Sequence, residues 1–358
     1  MQAISFLRSF ILLLSTSLLL TAQTDTSTIS SAVVSARFSK NVELIGYVIH
    51  LGDPADNDPE HPISKIMNSA PEDREIPALY KIFELGADVP YDIMIGILHS
   101  MPEFPLPTDY ALPETLLVSF GLETEAEQTK IRTLVDYAVE FHEASHFEQL
   151  WNDLAPYRKE TLAGLQQNLP STALMVGLEA FYQQGYERYE VIPSLMIWSG
   201  PGWGLKTMNG ETEVATFVLG PLEKNYDFSD KARFLNLAIH EFGHSFVNHV
   251  VLEIAGTQIQ ETEHLFAPLQ EAMVKQGYLN WETCVIEHFV RAGEVLVPES
   301  MGDHSASESL LTNYSAERQF VYLSYIVDKL RSYRYEQGLA YPEAVRRTMV
   351  DLSQTYKE

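Results

Sequence analysis

The chain has 358 residues, and 46% of them are hydrophobic, enough to bury a substantial core. Its formal net charge of −25 repels nucleic acid and anionic membrane surfaces, which excludes both as partners. Cys284 is the one cysteine, so no internal disulfide can form.

The only long apolar run lies at the start. Arg8 precedes Phe10, Ile11, Leu12, Leu13 and Leu14, then Leu18, Leu19 and Leu20, and the run closes on Thr21-Ala22-Gln23. A basic residue, a short apolar stretch and a small residue form the plan of a secretory signal peptide. Ser15, Thr16 and Ser17 interrupt the run and make it a poor spanning helix. The expectation is a leader over 1–22 cleaved near Ala22. The mature protein would then be periplasmic or secreted and free of the membrane. Residues 23–40, rich in Ser and Thr, read as a flexible lead-in, and residues 41–358 as a single domain.

Residues 43–51 read as a short strand or a helix start, and 53–62 as a polar loop. Short helical patterns mixed with prolines continue to about residue 117. A clearer helix is predicted over 124–154. Thr124 and Glu127 fit a capping box, and Ile131, Leu134, Val135, Ala138, Phe141 and Ala144 recur at helical spacing. A helix near 174–186 is followed by a strand over 189–198, a Gly/Pro turn over 199–204, and the hairpin signal Asn209-Gly210. Residues 213–220 alternate as a strand. A long helix starts near Ser229 or Asp230 and runs to about 251, and another, capped by Asn280, spans 281–297. Helices near 315–334 and 342–354 finish the chain. This order predicts an α+β fold, mainly helical, with a small antiparallel sheet before the long helix, a zincin-like arrangement.

The pattern His-Glu-x-x-His on a helix has a mechanical sense. Positions i and i+4 lie one above the other, so two imidazoles reach one tetrahedral zinc. The intervening glutamate can take a proton from water as it attacks a carbonyl. The chain contains the pattern twice, at 142–146 and at 240–244. Around the first stand Glu140 and Glu148, the dress of an amphipathic helix whose core face uses Phe141 and Phe147. Around the second stand Leu237, Ala238 and Ile239 before it and Ser245, Phe246 and Val247 after it. A metal buried beside a cleft needs the uncharged flanks, so His240 and His244 are the expected ligands and Glu241 the expected general base; the first copy is a decoy.

A catalytic zinc site needs a third protein ligand. A third histidine ten residues after the first, with a glycine three residues before it, fails here because Val250 and Val247 hold those places. No aspartate lies between Asp230 and Asp303, which weakens an aspartate ligand. Glutamates remain: Glu261, Glu263, Glu271, Glu282, Glu287 and Glu294. Glu287 sits inside Cys284-Val285-Ile286-Glu287-His288-Phe289-Val290, where a carboxylate needs a partner, and a metal would be one. Arg291, one turn on, could orient it, and a buried Glu287–Arg291 ion pair without metal is the competing reading. Glu263 is the runner-up ligand, and His288 and Glu282 could also lie near the site.

His249 is rotated about 140° from His244 around a helix and reads as surface or supporting. His264 and His304 fall in polar loops. Gly243 inside the helix could let another element approach beside the metal. The strand over 213–220 could bind an extended peptide by strand addition. Tyr322 and Tyr325 are conceivable oxyanion partners, with aromatic packing the commoner role.

Residues 240–248, His-Glu-Phe-Gly-His-Ser-Phe-Val-Asn, together with Glu287-His288-Phe289-Val290-Arg291-Ala292, resemble a family of secreted bacterial proteins known as domain of unknown function 4932 and regarded as zinc metallopeptidases of the glutamate-ligand clan. The resemblance extends over most of the mature chain. It implies His240, His244 and Glu287 as zinc ligands, Glu241 as base, and no known substrate. His249 stands where that pattern leads one to expect proline. The expected activity is zinc-dependent hydrolysis of a peptide or protein substrate. The alternatives are a non-catalytic secreted binding protein of the same fold and a zinc hydrolase of a non-peptide substrate.

Overall fold

The computed structural model describes residues 28–30, 33–52, 57–87, 89–200 and 202–356. The expected leader over 1–22 lies outside them. In chain order the elements begin with β1 (Thr28–Ser30), β2 (Val34–Arg37), α1 (Lys40–Gly52), α2 (Pro62–Met67), α3 (Pro77–Gly86) and α4 (Tyr91–Ser100). Next come α5 (Glu114–Ser119), α6 (Glu125–Ala144), α7 (Phe147–Asp153), α8 (Ala155–Leu165) and α9 (Thr172–Tyr182). The strands β3 (Arg188–Pro193), β4 (Gly202–Asn209) and β5 (Thr212–Leu219) follow. The chain ends with α10 (Lys231–Glu261), α11 (Gln270–Val274), α12 (Trp281–Ser300), α13 (His304–Thr312), α14 (Leu323–Arg331) and α15 (Tyr341–Thr355). The fold is α+β and mainly helical, with the sheet preceding the long helix, as the sequence predicts.

The sheet is mixed rather than antiparallel. Its order is β1-β2-β3-β5-β4. The β4–β5 hairpin and the β1–β2 pair are antiparallel, whereas β2–β3 and β3–β5 are parallel. The hairpin is local and legible; the parallel pairs join segments far apart in the chain, which local patterning does not register. Gly210 takes a positive φ of 65° at the hairpin turn, where only a two-residue loop separates the paired Asn209 and Thr212. Residues 28–30 and 34–37, inside the stretch expected to be a flexible lead-in, are strands. Val34 and Ala36 alternate inward and Ser35 and Arg37 outward, so β2 buries one face.

The helix expected over 124–154 is two helices. The capping box at Thr124 forms, with Glu127 Nα–H donating to Thr124 Oγ1 and Thr124 N–H to Glu127 Oε2. α6 then stops at Ala144 because Ser145 is extended (φ −93°, ψ 169°). Asp73, buried on a short 3₁₀ turn at Pro71–Glu75, accepts from the His146 backbone N–H at 2.9 Å and from Tyr47 Oη at 2.9 Å. A distant carboxylate thus claims a backbone donor that a continuous helix would use.

α10 is the longest of the described helices. Asp230 caps it by accepting from Arg233 N–H at 3.0 Å. One side packs under β4 and β5 and the other against α12 and α15. Burial on several sides explains why it lacks a clean apolar stripe, and no Gly or Pro stops it near 251, so it continues to Glu261. Among the described residues nearly all the buried hydrophobic side chains join in one cluster that includes Phe234, Phe242, Phe246 and Phe289 around this helix. No described helix is long and apolar enough to cross a membrane.

Candidate metal centre

His240 and His244 project from one face of α10, and Glu287 reaches them from α12, whose Asn280 cap accepts from Thr283 N–H at 2.8 Å. The two imidazole Nε2 atoms are 3.3 Å apart. Glu287 Oε1 lies 3.3 Å from His244 Nε2, and Oε2 lies 3.7 Å from His240 Nε2. Among the described residues these three form one group of donors able to hold a metal ion, all within 4.8 Å of one another.

The far sides of the rings are tied. His240 Nδ1 donates to Glu294 Oε2 at 3.0 Å, and His244 Nδ1 donates to Asn248 Oδ1 at 3.0 Å. With the protons on Nδ1, both Nε2 lone pairs face one locus. Two lone pairs and a carboxylate cannot crowd together in a buried place without a cation. Glu287 Oε2 is buried and has no hydrogen-bond partner. Tetrahedral bonds of about 2.0–2.1 Å imply donor–donor edges near 3.4 Å, close to the spacings observed. The residues fit a divalent ion.

Electrostatics agree. Burial alone would lower His244, yet the hydrogen bond and charge of Glu287 raise it to about 9. Burial alone would raise Glu287, yet His240, the His244 hydrogen bond and Arg291 hold it well below the usual carboxylate range. Glu294 is likewise held low, against burial, by His240, Arg291 and Tyr314. Tyr314 Oη donates to Glu294 Oε1 at 2.7 Å, and Arg291 lies 3.4 Å from both Glu287 and Glu294. The Glu287–Arg291 pair therefore exists, beside the metal locus rather than in place of it.

Glu241 is 5% exposed and its carboxyl is pushed up, chiefly by desolvation, against the pull of His240 and His244. β4 lies directly over it. A Cβ at Gly204 would stand 1.8 Å from the Glu241 carbonyl oxygen, and one at Gly202 would stand 2.7 Å from Glu241 Oε1. Only glycine allows this approach. Gly243 is met less tightly on the other side, where a Cβ would stand 3.3 Å from Tyr182 Oη and Val290 Cγ1, side-chain atoms that would have to give by a few tenths of an ångström. The centre opens on a cleft of about 860 Å³ whose walls include Trp203, Asn248, Tyr278 and Arg318.

The other candidates fall elsewhere. Glu261 and Glu263 are exposed and line a separate cavity. Glu282 is exposed. His288 is fully buried and turned away, its Nδ1 donating to the Cys284 carbonyl at 2.7 Å and its ring 4.9 Å from Phe320. His249 is partly buried and does not line the cleft, and His264 Nε2 lies 2.8 Å from the Tyr356 carbonyl. His304 is exposed. Tyr322 donates to the Leu265 carbonyl and Tyr325 meets Thr355, so neither faces the centre. In the decoy, His142 Nε2 pairs with Glu148 at 2.8 Å while His146 Nδ1 faces Asp73 at 2.8 Å across the helix break.

Sequence reasoning did not single out Asn248, Tyr278, Tyr314, Gly202 or Gly204, and weighed Glu294 only as a ligand. A signal existed for two of these. Glu287, Arg291 and Glu294 recur at i, i+4 and i+7, one face of one helix, and Asn248 is one turn past His244.

A mainly helical α+β chain with two histidines one turn apart on its long helix, and a glutamate from a following helix closing the donor set, defines a protein with a candidate metal site of the HExxH kind. The family model of the domain of unknown function DUF4932 matches residues 78–342, well over half of the chain, so the protein belongs to that family. No curated protein and no solved structure matches the chain.

Proposed function

We propose that the protein is a secreted zinc peptidase, with His240, His244 and Glu287 holding the metal and Glu241 acting as the general base. The observation that carries this reading is the pair of imidazole Nε2 atoms, oriented by Glu294 and Asn248, converging on the buried Glu287 carboxylate, whose Oε2 makes no hydrogen bond and meets Arg291 only at 3.4 Å. An N₂O donor set of this spacing suits zinc. Bound zinc would supply Lewis-acid polarisation of the scissile carbonyl and activation of water near neutral pH.

The chain's own groups do the rest. Burial raises the Glu241 carboxyl, which strengthens the carboxylate as a base toward water and lets it hold the proton taken until the departing amine receives it. Glu294 and Asn248 keep the ligand tautomers fixed. The strand over 213–220, expected to take a substrate by strand addition, is β5 and is paired on both sides, by β3 and β4, so it has no free edge. β4 is an edge strand of the sheet, and its far half is engaged by α4, where Met208 N–H donates to Ser100 Oγ at 3.2 Å. Its Gly202–Gly204 stretch lines the cleft beside Glu241, where an extended substrate backbone would lie by strand addition. Placement in the periplasm or outside the cell rests on the expected leader over 1–22.

The test compares zinc-loaded wild type with Glu241→Gln on an unstructured protein substrate. The variant should keep its zinc and lose at least about a hundredfold in hydrolysis. A zinc-loaded wild type that cleaves nothing, or a variant that cleaves equally well, would refute the reading and favour a binding protein or a different substrate.

A further inference from the structure

A second cavity adjoins the metal cleft. It is a groove of about 600 Å³, and nearly every wall is apolar, including Ile82, Phe83, Val89, Met94 and Leu279. Pro90 and Tyr91, at the start of α4, line both the groove and the metal cleft. On the opposite side two consecutive residues divide the work, Tyr278 lining the cleft and Leu279 the groove. The two spaces are therefore neighbours along a common wall.

The wall is aromatic and continuous. The Tyr91 and Trp198 rings meet edge-on at 6.2 Å, and Trp198 and Trp203 do so at 5.7 Å. Trp203 lies between Gly202 and Gly204, the residues over Glu241. An apolar surface thus runs from the groove to the strand beside the general base. Leu279 is 69% exposed and Tyr91 41% exposed, both large groups left open at the rim. The residues on either side of Leu279 are anchored. Tyr278 Oη accepts from Arg291 Nη2 at 2.9 Å on one side, and Asn280 caps α12 on the other. Large apolar groups grouped at the mouth of a cavity, rather than scattered singly, mark a binding surface.

We infer that this groove is the specificity pocket for one large apolar side chain, of leucine or phenylalanine size, on a peptide lying in the metal cleft. The ligand class rests on the peptidase reading; the pocket itself rests on the groove, its shared wall and its exposed rim. Filling such a groove with phenylalanine rather than alanine should favour binding by roughly ten- to a hundredfold.

Binding can be read apart from hydrolysis. Zinc-loaded Glu241→Gln protein is titrated by calorimetry with blocked peptides that differ only by Phe or Ala, the pair being moved through successive positions. At one position Phe should bind at least about tenfold tighter. Two variants in the same background then address the groove. A Cβ at Gly86, which lines it, meets nothing within 4 Å, so Gly86→Phe adds a ring to the groove's wall and narrows it. Leu279→Glu places a charge at the exposed rim. Both should bring the Phe/Ala ratio close to one while leaving the Ala peptide's Kd within about twofold.

The inference is overturned if the ratio stays within about threefold at every position, or if it survives both substitutions. It is also overturned if wild type sediments as a dimer that Leu279→Glu dissolves, because the groove would then seat a second copy of the chain. Hydrolysis by wild type reports separately. A discriminating groove without cleavage sinks the peptidase reading alone, and cleavage without discrimination sinks the groove alone.

Discussion

Replacing Glu294 with glutamine removes one charge from behind the metal locus while keeping the side chain's shape. Glu294 is 2% exposed and accepts from His240 Nδ1 at 3.0 Å and from Tyr314 Oη at 2.7 Å. The glutamine carbonyl oxygen can still accept from one of these donors. What disappears is the negative charge that makes the His240 ring more electron-rich and fixes its tautomer, worth about 10–100-fold in metal affinity. That is about 1.4–2.8 kcal/mol. Arg291 also loses one of its two carboxylates, so some stability will go with it. Competition against a zinc chelator of known affinity measures the first effect, and denaturant unfolding in the presence of a strong chelator measures the second. An affinity within twofold of wild type would refute the supporting role assigned to Glu294. A loss as large as that of His240→Ala would make Glu294 a ligand rather than a support.

The strand–helix contact yields a paired prediction. Gly204→Ala sets a Cβ 1.8 Å from the Glu241 carbonyl oxygen and should cost more than about 3 kcal/mol of stability, read by urea unfolding. Gly256→Ala, on the same helix but with nothing within 4 Å of its Cβ, should instead stabilise by about 0.5–1 kcal/mol. Glu190 gives a pH prediction: burial would raise its carboxyl, but His99 and Arg37 hold it down at about 2 against an ordinary 4.5. A depressed carboxyl stabilises the fold above the unfolded value and loses that stability as pH falls from about 4.5 toward 2, at most about 3 kcal/mol. Wild type should therefore exceed Glu190→Gln in urea midpoint at pH 6, and the two should converge by about pH 2; a constant difference across that range would contradict the sign. His146→Ala should leave the zinc stoichiometry unchanged, by elemental analysis, because its ring faces Asp73 across a helix break.

Much of this was written locally in the chain. The cap at Asp230, the turn at Gly210, the capping box at Thr124 and the helix at 281 each depend on residues within a turn of one another. The apolar flanks of 240–244 separated the two His-Glu-x-x-His patterns for a related reason: a buried metal end and a solvated helix face demand different neighbours. What sequence reading missed depends on distant partners. Asp73 ends α6 from some seventy residues away, and β2 joins β3 in parallel across a long intervening stretch. Gly202 and Gly204 looked like part of a turn. Their purpose appears only once β4 lies over Glu241, a contact that no pattern within the strand encodes. Glu294 was visible as a glutamate on the right helix face, but whether it met the metal or the back of His240 depended on how α12 packs against α10.

Diffraction from zinc-loaded crystals at the zinc absorption edge tests the central claim most directly. The account predicts one strong anomalous peak about 2.0–2.2 Å from His240 Nε2, His244 Nε2 and a Glu287 oxygen. No peak there, or a peak instead beside His142 and His146 or beside Glu263, would contradict it.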